Sequence, residues 1–66
     1  MGPIEELYRI FCERMASECE TEAVRYEDNP ELQDHDRQFV SALRENAKRL
    51  RQEIRRLDAH YSSRAG

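Results

Sequence analysis

Tryptophan is absent from this 66-residue chain, and glycine occurs only at Gly2 and Gly66. With no internal glycine there is no glycine-rich loop to cradle phosphates. Proline occurs only at Pro3 and Pro30, so long uninterrupted helices are permitted. No apolar stretch approaches the roughly 20 residues that cross a bilayer. The opening residues MGPIEE lack the basic start and apolar run of a secretory leader. They also miss the myristoylation pattern, because Glu6 stands where Ser or Thr is required. A cytoplasmic protein with no membrane partner is therefore expected, although nuclear, viral, phage and injected proteins share these features.

Cysteine is scarce as well, with Cys12 and Cys19 only. Seven residues of helix span about 10.5 Å, whereas a disulfide holds its Cα atoms within about 7 Å. The two therefore cannot pair within one helix. They are expected as reduced thiols acting as small hydrophobes, with pairing across two chains left open. A structural zinc site wants four ligands in close Cys or His pairs. No such pair exists, and His35 and His60 stand far apart. Asp34–His35–Asp36 lacks the ligand ladder, glycine and closing glutamate of a calcium loop and reads as a solvated helix start. No catalytic residue, cofactor, metal or small-molecule substrate is expected, since a small helical chain has no deep pocket to shift pKa values or exclude water. The expectation is a protein that is not an enzyme.

Helical periodicity is abundant. From Pro3 to about Glu27, apolar residues recur every three or four positions at Ile4, Tyr8, Phe11, Met15, Cys19, Ala23 and Tyr26, with Leu7 beside them. Pro3 suits a first helical turn, and Glu5 and Glu6 suit the positive end of the helix dipole. Farther on, Val40, Leu43, Ala47, Leu50, Ile54, Leu57 and Tyr61 alternate steps of three and four, the a/d seam of a coiled coil. Between them, Asn29–Pro30–Glu31 reads as an N-cap, a first helical residue and an acid. The second helix is thus expected from Pro30 or shortly after, the alternative being a start near Asp34 or Asp36. The turn covers about 28–35, the helix ends near 62, and residues 63–66 should fray.

The expected fold is all-α: a single domain spanning 1–66, an antiparallel two-helix hairpin resembling a coiled coil. Its expected core is Ile4, Leu7, Tyr8, Phe11, Met15, Cys19, Tyr26, Phe39, Val40, Leu43, Ala47, Leu50, Ile54, Leu57 and Tyr61. Pairing should set Tyr26 near the start of the second helix, Phe11 near Leu50 and Ile4 near Leu57. Glu22 should fall near Arg37 or Phe39, with its stem packed and its head in water, the alternative being a buried ion pair with Arg37 or His35 that fixes register. Ile10, Cys12, Ala16, Cys19, Ala23 and Val24 remain as an expected partner or dimer face. A chain this short buries too little surface to stand comfortably alone, so pairing into a homodimeric four-helix bundle is expected.

Charge is unevenly divided. Residues 1–36 hold eleven acids and three bases, and residues 37–66 three acids and eight bases. Antiparallel pairing lays the acidic helix along the basic one, which sets orientation more than stability. These observations suggest an interaction or oligomerisation module, a small adaptor or regulatory subunit binding itself or a helix of a larger protein. A first alternative is a nucleic-acid-binding regulator tracking phosphates with Arg37, Arg44, Lys48, Arg51 and Arg55. A second is a small secretion chaperone or co-chaperone.

Overall fold

The computed structural model describes the backbone of residues 2–65 and the side chains of residues 2–61. Two helices, α1 (Pro3–Glu27) and α2 (Asp34–Ala65), account for nearly all of it. They pack side by side into a rod 51 × 17 × 14 Å, close to the ~48 Å expected of a 32-residue helix. The two-helix architecture and the span of α1 agree with the periodicity.

Helix α1 begins at Pro3 after an extended Gly2 that offers no side-chain cap. The Gly2 carbonyl accepts from the Glu6 N–H at 3.0 Å, and Glu5 and Glu6 occupy the first turn. At the other end Asp28 N–H donates to Val24 O and Asn29 N–H to Tyr26 O. Pro30 disfavours helical geometry at Asn29, and the helix stops there.

The expected start of the second helix at Pro30 is corrected to Asp34, the alternative weighed from the sequence. Asn29 does accept from Glu31 N–H through its side chain at 3.0 Å, and Leu32 N–H reaches Asn29 O at 3.3 Å. This is a single capped turn, and it does not propagate. The helix restarts where Asp36 accepts from Gln33 N–H at 3.1 Å and Arg37 N–H donates to Gln33 O at 3.0 Å. That reach of a third-position acid back to the capping residue is half of a capping box, and it accounts for Asp36 without a metal. At the far end α2 continues to Ala65, past the expected end near 62. The side chains of 62–65, and Gly66, lie outside the described residues.

The seam between the helices differs from the one expected. From α1 it buries Cys12, Ala16, Cys19 and Ala23, and from α2 it buries Val40, Ala47, Ile54 and Leu57. Ala16, Cys19 and Ala47 form its centre, with Leu43 and Leu50 packed against them. Small side chains on α1 thus receive larger ones from α2, which lets two helices approach closely without voids.

Candidate functional site

Because the small residues occupy the seam, the large apolar residues of α1 are left outside it. Ile4 is 79%, Leu7 67% and Phe11 57% exposed, whereas Cys12, Ala16 and Ala23 have no exposure. Of the seven α1 residues expected in the core, only Cys19 is buried. Met15 and Tyr26 are half-buried, and Ile4, Leu7, Tyr8 and Phe11 are exposed. Ile4 and Phe11 are therefore mostly in water rather than packed on Leu57 and Leu50. On α2, Val40, Ala47, Ile54 and Leu57 are buried as expected, Leu43, Leu50 and Tyr61 are half-buried, and Phe39 is exposed.

The expected partner face is corrected in the same way. Cys12, Ala16, Cys19 and Ala23 are covered by the chain's own second helix. Ile10 and Val24 remain exposed, at positions turned away from the seam. Both thiols are free, and Asn46 Nδ2 lies 3.5 Å from Cys19 Sγ. Their burial removes them from any ready link between chains.

Two flanks run along the rod, one on each side of the seam. One is charged. Arg9 forks onto Asp58, with Nε to Oδ1 at 2.9 Å and Nη2 to Oδ2 at 3.2 Å, and reaches Glu13 at 3.0 Å through Nη1. Arg51 Nε donates to Glu20 at 2.8 Å and Arg44 Nε to Glu27 at 2.8 Å. Such two-pronged guanidinium–carboxylate pairs fix geometry as well as charge. The Arg51 guanidinium holds the Glu20 carboxyl below its ordinary range, and Arg9 does the same to Asp58.

The opposite flank is apolar. It carries Ile4, Leu7, Phe11 and Met15 on α1, and beside them the edge where Tyr26 meets Phe39 edge-to-face, ring centres 5.1 Å apart. The Tyr26 contact places that residue near the start of α2, as expected. On α2 this side holds an open trough lined by Phe39, Ala42 and Leu43 together with the polar Glu45, Asn46 and Arg49. Nearer the open end, Arg56 first and the Tyr8 hydroxyl second hold the Glu53 carboxyl low. Glu22 is half-exposed and pairs with Arg25 at 3.6 Å rather than with Arg37 or His35.

The proposed basic stripe is divided by these pairs. Arg44 and Arg51 are committed to Glu27 and Glu20, while Arg37, Lys48 and Arg55 are exposed and have no ion pair among the described residues. Phosphate tracking would thus have to break two interhelical pairs or rely on three cations spread along α2. His35 Nε2 lies 3.3 Å from Asp36, and no group of three or more metal-ligating side chains stands together among the described residues. No helix among the described residues is long and apolar enough to cross a membrane.

One signal in the sequence could have selected the correct seam. At roughly 100° per residue, Glu20 lies about 70° from the centre of the small-residue strip but nearly opposite Phe11. Acids that pair across a seam must border it, as e and g positions border a coiled-coil core. The acids Glu13, Glu20 and Glu27 therefore point to the small strip as the seam. Comparison with protein-family models, with curated proteins and with solved structures returned no match to the chain.

Proposed function

We propose that this chain is a non-enzymatic protein–protein interaction module whose apolar flank receives helices of a second polypeptide. In the covered state the hairpin and the docked helices make a four-helix bundle. The observation that carries this reading is the stripe Ile4–Leu7–Phe11, three large apolar side chains each more than half exposed on one helix face. Contiguous apolar surface of this kind on a small chain marks a binding surface. A groove-and-helix contact reads side chains at this i, i+3, i+7 spacing. The charged flank supports the reading from the other side, since its acids and bases already satisfy one another within the hairpin.

The test replaces Leu7 and Phe11 together by glutamate and compares the result with Ser17→Glu, an exposed position on the polar surface. The parent chain should either associate in solution or bind an apolar dye. The Leu7→Glu/Phe11→Glu variant should do neither, and Ser17→Glu should behave as the parent. A parent chain that neither associates nor binds the dye would defeat the proposal.

A further inference from the structure

We draw no further inference here: the strongest candidate, the exposed apolar flank of α1 formed by Ile4, Leu7 and Phe11, carries nothing beyond the interaction reading above because nothing in the structure shows what covers it.

Discussion

Ala16 has no solvent exposure and sits at the centre of the seam with Cys19 and Ala47. A methyl group is all that the opposing helix leaves room for there. Ala16→Leu should overpack the contact and lower unfolding stability by about 1–3 kcal/mol, measured by urea denaturation at fixed concentration. An unchanged midpoint would mean that the seam lies elsewhere. The cysteines offer a second reading at the same scale. Cys12 and Cys19 are reduced and covered by α2, so a thiol reagent should label the native chain slowly and the urea-unfolded chain rapidly. Equal rates in the two states would contradict the burial. Both expectations concern the fold of one hairpin rather than its association.

At the scale of the elements, the charged flank does more to choose a register than to hold the helices together. Arg9 faces Asp58 while Glu20 faces Arg51, so the polarity of the pairs reverses along the rod. Sliding α2 by seven residues keeps its apolar seam in phase, which makes that slip the natural competitor. In one direction it sets Glu20 against Asp58, and in the other Arg9 against Arg51. Both slips meet like charges. Asp58→Arg should therefore lower the thermal midpoint and Arg9→Asp/Asp58→Arg should recover it, a charge-swap cycle read by circular dichroism. Failure of the double variant to recover would count against the register role.

The same pairs carry a pH dependence with a definite sign. Arg51 lowers the Glu20 carboxyl from its ordinary 4.5, and Arg9 lowers Asp58 from 3.8. Carboxyls held low in the folded state add stability that is complete above the unfolded values. That contribution is lost as pH falls through the depressed folded values. The thermal midpoint should thus be level near neutrality with respect to these groups and decline on the acid side. Glu20→Gln/Asp58→Asn should flatten that acid limb. An acid limb unchanged by the two substitutions would place its origin in other groups.

For the whole molecule, one flank is satisfied by charge and the other is left open and apolar. The open flank is what the interaction proposal uses. The satisfied flank bears on nucleic acid, because two of the five residues in the basic stripe already hold carboxylates of α1. Generic RNA or DNA at moderate salt should leave the electrophoretic mobility of the chain unchanged. A shift that weakens steeply with added salt would restore the phosphate-tracking reading and show that the interhelical pairs yield to a stronger anion.

The sequence by itself determined two helices, their antiparallel order and the span of α1. Each follows from local physics: periodicity near 3.6, a proline at either end of α1, and opposite charge on the two halves. It determined the α2 side of the seam too, because Val40, Ala47, Ile54 and Leu57 lie on a single narrow stripe. The side of α1 that α2 would choose was decided by the tertiary structure. Two stripes on α1 share the same spacing, one of large side chains through Phe11 and one of small ones through Ala16. Hydrophobicity favours the first as core, whereas close helix approach against the larger side chains of α2 favours the second. Only packing weighs size on both helices at once, and it places Phe11 outside. The start of α2 at Asp34 was a tertiary decision of the same kind. Asn29 caps a turn wherever it stands, but whether that turn grows into a helix depends on where the chain must enter the seam.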